Sequence, residues 1–364
     1  MDQAPRRLRD RPQGAIAVGL LAVVLASLFS IRVLSETEWD ATVFVGFGED
    51  ASPTREYAEE RLGAVFLRIG QGHDGKYFFV QANDPWLVDP NNNAEVLDAP
   101  LYRSQRMLYP MLASGFGALG PSEIVWGMLL LNLVALGLGT FAVGVLAQEA
   151  GSSAWWGLAF LVNIGFTSEL NIGGAGLVAG AAVFGALALL LKGRIRWAVL
   201  LLSLSALSRE VMLIAAAGTA WYLWRGAERR RATVVALVPV GVVAAWALYL
   251  RLRIAPGVGA SVQAFGLPFV GLVEAAGSWL PDPIDLVAGL AILALLGLFL
   301  MRSVRSDELV GWAFVGFVPM AVLLTKPVWA NYFDFTRAVA PVITAFVLLV
   351  VASRSQSERT SVRQ

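Results

Sequence analysis

The sequence of 364 residues has no cysteine and a single histidine, His73. Disulfide bonds and thiolate chemistry are therefore excluded. No Walker loop, no HExxH motif and no His/Cys cluster with metal-ligand spacing occurs. A histidine-based triad would have to use His73, and no serine stands in a recognisable nucleophile context. The sequence alone therefore predicts no metal site.

Charge is also scarce, because only 15% of the residues are charged, against about 25% in a typical soluble domain. Hydrophobic residues make up 57% of the chain, and the mean hydropathy is +0.65. Several apolar runs reach the roughly 20 residues needed to cross a bilayer. The composition predicts an all-α polytopic membrane protein. The net charge of +1 argues against a nucleic-acid partner.

Ten apolar segments are predicted to cross the membrane. They lie at 14–34, 123–147, 154–170, 173–191, 195–208, 210–225, 232–250, 285–302, 308–325 and 335–352. The first follows four arginines at 6–11 and lacks a clear cleavage site, so we interpret it as a retained helix rather than a signal peptide. Lys and Arg clusters in short loops mark the cytoplasmic side. All five such clusters are cytoplasmic if both termini, including a tail at 354–364, lie inside.

This topology places residues 35–122 outside the membrane, as the longest polar stretch of the chain. Residues 35–104 carry 13 acids and five basic residues. Ser52 and Pro53 predict a helix start, with a capping residue followed by proline at the first helical position. The helical spacing of five apolar residues then predicts an amphipathic interfacial helix. These residues are Ala58, Leu62, Val65, Phe66 and Ile69.

Two further stretches of this loop are predicted to be helical. Asp74 to Ala82 forms a short helix in which Asp74, Phe78 and Gln81 share one face. Segment 105–120 contains Pro110 and three glycines, and it would invert the downstream topology if it crossed. We therefore interpret it as a juxtamembrane helix on the outer leaflet.

Arg209 and Glu210 lie at the apex of a hairpin formed by 195–208 and 210–225. Each arm spans only about 20 Å, which is less than the hydrocarbon core, and ionisable groups at such a depth are costly. The pair is either a structural ion pair at a helix break or a site for an anionic head group. Glu169 and Asn171, at another outer turn, are interpreted as structural with a possible part in lining a cavity.

Several other basic residues are predicted near the same outer surface. "LYRSQRMLYP" supplies Arg103 and Arg106 beside Tyr102, and "TKPVWANYFDFTR" supplies Lys326 and Arg337. Interfacial anchoring or snorkelling is the alternative for each of them. Because the planar arginine fork binds two oxygens of a phosphate, their convergence predicts a pocket for a lipid phosphate or pyrophosphate.

Four short motifs resemble the GT-C superfamily of polyprenyl-phosphate-sugar-dependent glycosyltransferases. "HDGKYFFVQA" resembles an Asp-Gly-x-Tyr-type motif of glycosylphosphatidylinositol mannosyltransferases and of related bacterial membrane proteins. "YRSQRMLYPMLA", "LSRE" and "FDFTR" resemble segments of that bacterial group. The layout of most of the chain also fits, as a GT-C-like bundle with interfacial helices in a long first extracytoplasmic loop.

The resemblance implies a glycosyltransferase of a bacterial plasma membrane whose active site faces outward. Asp74 is then the general base. The residues expected to bind substrate are Tyr77, Tyr102, Arg103, Arg106, Arg209, Glu210, Lys326 and Arg337. Many family members carry a paired acidic motif directly after the first helix. Glu36, Glu38 and Asp40 occupy that place here, so Asp40 is a rival for the base.

The implied donor is a polyprenyl-phosphate sugar, and the implied acceptor is a glycan, a glycolipid or a protein beside the membrane lipids. No cofactor is required by the resemblance, although some relatives use a divalent ion such as Mg²⁺ or Mn²⁺. Two alternatives remain open. One is a transporter or flippase of a lipid-linked saccharide, and the other is a noncatalytic membrane subunit of envelope assembly.

Overall fold

The computed structural model describes residues 13–255 and 265–361 of the chain. The predicted arginine cluster at 6–11 and the end of the predicted tail lie outside the described residues. The described residues are mostly α-helical, as the composition predicts. The only paired strands among them are two strands of two residues each, β1 (Phe47–Gly48) and β2 (Leu67–Arg68), which lie parallel.

The α-helices of the described residues are numbered in chain order. They are α1 (Gln13–Glu36), α2 (Pro53–Leu62), α3 (Gly75–Asn83), α4 (Pro90–Val96), α5 (Pro100–Arg103), α6 (Leu108–Ser114), α7 (Pro121–Glu149), α8 (Leu158–Leu161), α9 (Ile164–Asn171), α10 (Gly176–Leu191), α11 (Ile195–Ser208), α12 (Leu213–Arg225), α13 (Arg229–Arg253), α14 (Val270–Trp279), α15 (Pro283–Arg305), α16 (Leu309–Phe314), α17 (Phe317–Leu323), α18 (Lys326–Trp329) and α19 (Tyr332–Ser361).

Five of these helices, within the described residues, are long and apolar enough to cross a membrane: α1, α7, α13, α15 and α19. The prediction of ten crossing segments is therefore wrong in number. Shorter apolar helices take the place of the others, including α10, α11 and the stretch 309–323. The predicted segment 154–170 is divided into a 3₁₀ turn, α8 and α9, and 308–325 is divided into α16 and α17.

Polar groups explain one of these breaks. Asn163 directly precedes α9, and its side-chain oxygen accepts a hydrogen bond from the N–H of Gly165 at 3.0 Å. Its amide nitrogen donates to the carbonyl of Ala340 at 2.7 Å and to the hydroxyl of Thr344 at 3.0 Å. An asparagine with these partners caps a new helix instead of continuing the old one. A scan for apolar residues does not detect such a break.

In the polar loop after α1, the predicted start of α2 is confirmed, with Ser52 as the capping residue. The predicted amphipathic helix, however, stops at Leu62 because Gly63 adopts a left-handed φ of 78°. Val65, Phe66 and Ile69 lie beyond it, and Ile69 is 92% exposed. The second prediction holds, since α3 covers residues 75–83. Segment 105–120 contains only the two-turn helix α6, followed by turns.

The core of the bundle is built around α7, which packs against α1 and α10, while α19 packs against α9 and α15. Small residues let these helices approach closely. A Cβ on Gly139 would lie 2.3 Å from the ring of Phe160, and one on Gly180 would lie 2.5 Å from the ring of Phe166. Stacked Phe160 and Phe166 fill the space that these two glycines leave.

Helix α3 is positioned by its backbone and by one aromatic face. A Cβ on Gly75 would lie 2.2 Å from both the Ile172 and the Val45 carbonyl oxygens, so only glycine fits there. Phe79 is fully buried, edge-on to Phe47. These contacts hold the N-terminus of α3 where α10 and α19 begin and α11 ends. We call this the site end of the bundle.

Candidate functional site

Asp74 lies at the site end, directly before α3, and its carboxylate faces three guanidinium groups. Its Oδ1 is 2.9 Å from Nη1 of Arg103, and its Oδ2 is 3.3 Å from Nη2 of Arg337 and 3.9 Å from Nη1 of Arg106. The side chain keeps 27% of its exposure. We call Arg103, Arg106, Arg209 and Arg337 the arginine cluster. Asp74 is thus the acid that the arginine cluster surrounds.

The conformation of Asp74 separates it from two other aspartates that precede helical turns. Asp40 and Asp282 accept hydrogen bonds from the N–H groups of the helical turns that follow them, at 2.9 and 2.8 Å. Asp74 makes no such capping bond, although it stands at the same position relative to α3. Capping is the usual structural reason for an aspartate at a helix start. The Asp74 carboxylate is instead directed at the arginine cluster.

Arg103 is fixed by a second acid and by an aromatic ring. Its Nε and Nη2 donate to the two oxygens of Asp98 at 2.9 and 2.8 Å. Its guanidinium carbon lies 3.8 Å from the centre of the Tyr77 ring, and the Tyr77 hydroxyl donates to Asp98 at 2.9 Å. Two parallel hydrogen bonds and a stacked ring leave little rotational freedom. Arg103 is therefore presented to Asp74 through its remaining nitrogen.

Arg106 is held in the same way by Glu210. Its Nε and Nη2 donate to the two Glu210 oxygens, both at 3.0 Å, and Nη2 also donates to the Tyr102 hydroxyl at 2.8 Å. This pair links the turn between α5 and α6 to the break between α11 and α12. The break falls at Ser208, Arg209 and Glu210, as the sequence predicts.

Glu169 is the acid that holds Arg337, and it is only 1% exposed. Its Oε1 lies 3.0 Å from Nε of Arg337 and 3.5 Å from Nη1 of Arg209. Its Oε2 accepts from the N–H of Gly176 at 3.3 Å. A Cβ on Gly174 would lie 1.6 Å from Oε2. The glycines after Glu169 thus make room for this buried carboxylate.

Arg209 is the least compensated member of the arginine cluster. Arg103, Arg106 and Arg337 each have a charge-assisted hydrogen bond of 3.0 Å or less. The Nη1 of Arg209 reaches Glu169 only at 3.5 Å and the carbonyl of Arg337 at 3.3 Å. Its side chain is 16% exposed. A further anion at this place would gain most from Arg209.

The protonation states of the site residues in the loop follow from these contacts. Burial raises the pKa of the Asp74 carboxyl, but Arg337, Arg106 and Arg103 outweigh it, so this pKa lies well below its usual range. Asp98 also has a lowered pKa, since Arg103 outweighs the effect of burial. Burial raises the pKa of Tyr77 to about 12. At neutral pH the two acids are charged, and Tyr77 keeps the proton that it donates.

The space beside Asp74 is small. A recess lined by Asp74, Tyr77, Phe78, Tyr102, Arg103 and Arg106 has room for about one water molecule. The charged side chains of the site pair with one another in this structure, and the recess among them is closed to a ligand larger than water. A substrate as large as a sugar phosphate requires some of these side chains to move.

Most residues expected to bind substrate are brought together. Tyr77, Tyr102, Arg103, Arg106, Arg209, Glu210 and Arg337 all lie around Asp74 or one contact away.

Lys326 is the exception, because it begins the short helix α18, is exposed, and makes none of the ion pairs described for the cluster. Asp40 is engaged elsewhere, since its Oδ1 also accepts from the Thr42 hydroxyl at 2.6 Å. His73 packs against Phe333, with ring centres 5.4 Å apart and ring planes tilted by 39°. Neither Asp40 nor His73 is placed to replace Asp74 among the arginines.

Three acids of the site were not predicted as members of it: Asp98, Asp334 and Glu169. Asp334 lies 3.4 Å from Nη1 of Arg337. Asp98 and Asp334 had no distinguishing sequence signal among the other acids. Glu169 did, because it is a lone acid in an apolar segment, and a buried charge needs a partner. The sequence interpretation gave it a structural part, with lining of the cavity as the alternative, and did not include it among the substrate-binding residues.

The donor set does not fit a divalent cation. Among the described residues, no group of three or more His, Asp or Glu side chains is arranged to hold a metal ion. Asp74, Glu169 and Glu210 each face guanidinium groups, whose positive charge opposes a nearby cation.

Comparisons of the chain with protein-family models, with curated proteins and with solved structures yield no match.

Proposed function

We propose that this chain is a membrane glycosyltransferase that moves a sugar from a polyprenyl-phosphate donor to a hydroxyl of an acceptor. One observation carries the proposal: a carboxylate that caps no helix faces three members of the arginine cluster at one end of a helical membrane bundle. The short motifs that resemble GT-C enzymes contain the residues of this site.

The arginines supply the recognition of the donor phosphate. A phosphodiester carries one negative charge on two free oxygens, which suit the planar guanidinium fork. Arg209 has the fewest strong partners. Arg337 is bound to Glu169, which Arg209 also contacts, and Arg106 is bound to Glu210, the next residue in the chain after Arg209. A lipid phosphate at this place keeps its chain beside the helices of the bundle. The arginines then stabilise the charge that grows on the leaving phosphate.

Asp74 supplies the base. Its carboxylate takes the proton of the acceptor hydroxyl while that oxygen bonds to the anomeric carbon of the sugar. The bond from this carbon to the phosphate oxygen breaks, and its electron pair leaves with the polyprenyl phosphate. The proton on Asp74 passes to solvent. A direct displacement of this kind inverts the anomeric configuration, and a positioned base is worth about 10²- to 10⁴-fold in rate.

The distribution of basic residues supports an outward-facing site. The turns at the opposite end of the bundle contain Lys192 and Arg194, Arg225 and Arg229–Arg231, and the end of α15 contains Arg302 and Arg305. Short loops rich in Lys and Arg mark the cytoplasmic face. We therefore propose that Asp74 and the acceptor, a glycan, glycolipid or protein, face the outer side of the membrane, which by the resemblance is a bacterial plasma membrane.

A transfer assay tests the proposal. Purified protein is incubated with a panel of radiolabelled polyprenyl-phosphate sugars and hydroxyl acceptors, and transfer or hydrolysis is measured. We expect activity with at least one donor, and its loss in Asp74→Asn. Glu60→Gln is the matched control, because Glu60 is an exposed acid of the same loop. An Asp74→Asn protein that melts cooperatively and still transfers sugar at the wild-type rate contradicts the assignment.

Flipping of a lipid-linked saccharide is the second candidate, favoured by the break of the α11–α12 hairpin at two charged residues. It uses the same arginines but does not need a base. In that case Asp74→Asn in liposomes keeps moving the labelled lipid across the bilayer, and no sugar is transferred to any acceptor.

A further inference from the structure

The closed state of the site raises a chemical problem for the proposed base. Asp74 faces Arg103, Arg106 and Arg337 at once, and a carboxylate beside three positive charges binds a proton weakly. The same arginines are the ones assigned to the donor phosphate. The Asp74 carboxylate therefore occupies the place where the donor phosphate is expected to bind.

Asp74 is bound closely by Arg103, at 2.9 Å, and more loosely by the other two arginines that it faces. Arg106 makes two 3.0 Å bonds to Glu210, but it is 3.9 Å from Asp74. Arg337 makes a 3.0 Å bond to Glu169, but it is 3.3 Å from Asp74. The guanidinium groups thus keep their places without Asp74. The side chains of Asp74 and Glu210 keep 27% and 25% of their exposure, whereas the side chain of Glu169 keeps only 2%.

The backbone at Asp74 is fixed, while its side chain is not bound to that backbone. Gly75 is wedged against the carbonyls of Val45 and Ile172, which leaves no room for α3 to shift. The Asp74 carboxylate makes no capping bond to α3. A rotation of this one side chain is therefore enough to open the space among the arginines.

We propose that the Asp74 carboxylate is an internal stand-in for the donor phosphate, which displaces it and thereby frees it to act as the base. This rests on the proposed function, because it assumes that the arginines bind the donor. The free protein holds Asp74 as an inert ion pair. When the phosphodiester takes Arg106, Arg209 and Arg337, Asp74 loses Arg106 and Arg337, keeps only Arg103, and becomes able to accept the acceptor's proton. The donor then has to bind before the acceptor can react.

Binding of a phosphate without a sugar tests this directly. The probe is farnesyl monophosphate, titrated by calorimetry into purified protein in detergent. Because the stand-in competes with the probe, we expect Asp74→Asn to bind it about tenfold more tightly or better, which corresponds to about 1.4 kcal/mol. Asp98→Asn is the matched control. It removes the same charge beside the same cluster, but the one arginine of the cluster that Asp98 pairs with in the described residues is Arg103.

The Asp98→Asn control distinguishes removal of a carboxylate that occupies the phosphate site from a change in net charge alone. A gain that is clearly larger for Asp74→Asn than for Asp98→Asn supports the stand-in. Equal gains in the two variants, or an unchanged or weaker affinity in Asp74→Asn, overturn it. Arg209→Gln should lower the affinity for farnesyl monophosphate both in the wild type and in Asp74→Asn. Cooperative thermal melting of every variant shows that the comparison is made between folded proteins.

The outcomes also separate this inference from the proposed function. If wild type transfers sugar but Asp74→Asn gains no affinity, the transferase stands and the stand-in fails. If Asp74→Asn gains affinity and no donor yields transfer with the wild type, the anion site with its stand-in holds and the transferase fails. If neither the wild type nor Asp74→Asn binds the probe, both are rejected.

Discussion

Asp74 and Arg337 are 263 positions apart in the chain, and their side chains lie 3.3 Å apart. Arg337 also reaches Glu169, at 3.0 Å, from the first turns of α19. One arginine therefore connects the loop that carries the proposed base to the buried acid of α9. The geometry of the site depends on this connection more than on any local motif.

Glu169→Gln should destabilise the protein strongly. The change leaves Arg337 and Arg209 without their shared buried carboxylate, and breaking a buried pair in this way costs about 3–5 kcal/mol. Unfolding in detergent, followed by heat or by denaturant, measures the loss. Glu36→Gln is the control, since the Arg32–Glu36 pair is exposed and contributes about 0–1 kcal/mol. Equal losses in the two variants would contradict the assigned importance of Glu169.

Gly75→Ala should cost about 3 kcal/mol, because its Cβ would overlap two carbonyl oxygens that lie 2.2 Å away. Transfer activity should fall further than stability alone explains, since the start of α3 moves and Asp74 moves with it. Gly297→Ala offers a matched control in α15, where a Cβ meets no atom within 4 Å. That variant should be neutral or more stable by about 0.5–1 kcal/mol. A Gly75→Ala protein as stable and active as the wild type would refute the wedge.

Stability should depend on acid pH through Asp74. Its pKa is lowered in the folded protein, where Arg337, Arg106 and Arg103 outweigh burial. A lowered pKa contributes stability above the unfolded value of about 3.9, and this stability is lost as the pH falls below about 4. The melting temperature of the wild type should therefore drop more steeply below that pH than the melting temperature of Asp74→Asn. Parallel profiles would show that Asp74 is not held as a charged group.

Trp246→Phe should weaken binding of the donor, although Trp246 is not one of the residues proposed to bind it. The Trp246 indole N–H donates to the carbonyl of Ser104 at 2.8 Å, and Ser104 lies between Arg103 and Arg106. Loss of this bond costs about 1 kcal/mol. We expect the KM for the donor to rise several-fold while kcat changes little. Trp221→Phe, at an exposed tryptophan of α12, should leave both constants unchanged. A pure loss of kcat would argue against a positioning effect on the arginines.

Local features of the fold could be read from the sequence. Ser52 followed by Pro53 starts α2, and the stretch from His73 onward forms α3, because helix starts depend on a few neighbouring residues. The convergence of the four arginines also followed, since basic clusters in short loops place the chain relative to a membrane. The break at Arg209 followed from the length of the hairpin arms.

Features that depend on distant partners could not be read in this way. The break within the predicted segment 154–170 was missed because hydropathy does not register that Asn163 bonds to α19 and starts a new helix there. Asp98 looks like any other acid of its loop until the fold brings Arg103 against it. Lys326 satisfied the same pattern as the arginines, yet α18 leaves it exposed and apart from them. Sequence spacing does not encode these pairings.

The connection through Arg337 has a consequence for biosynthesis. A chain is made from its N-terminus, and segments fold as they emerge. Asp74, Glu169 and Arg209 are all synthesised before Arg337, so until α19 is inserted Glu169 lacks its closest cation and Asp74 lacks one of its three. The proposed catalytic apparatus therefore comes into existence only with the insertion of α19. A chain that stalls before that point has an incomplete site, in which Arg209, at 3.5 Å, is the cation left for Glu169 among the described contacts.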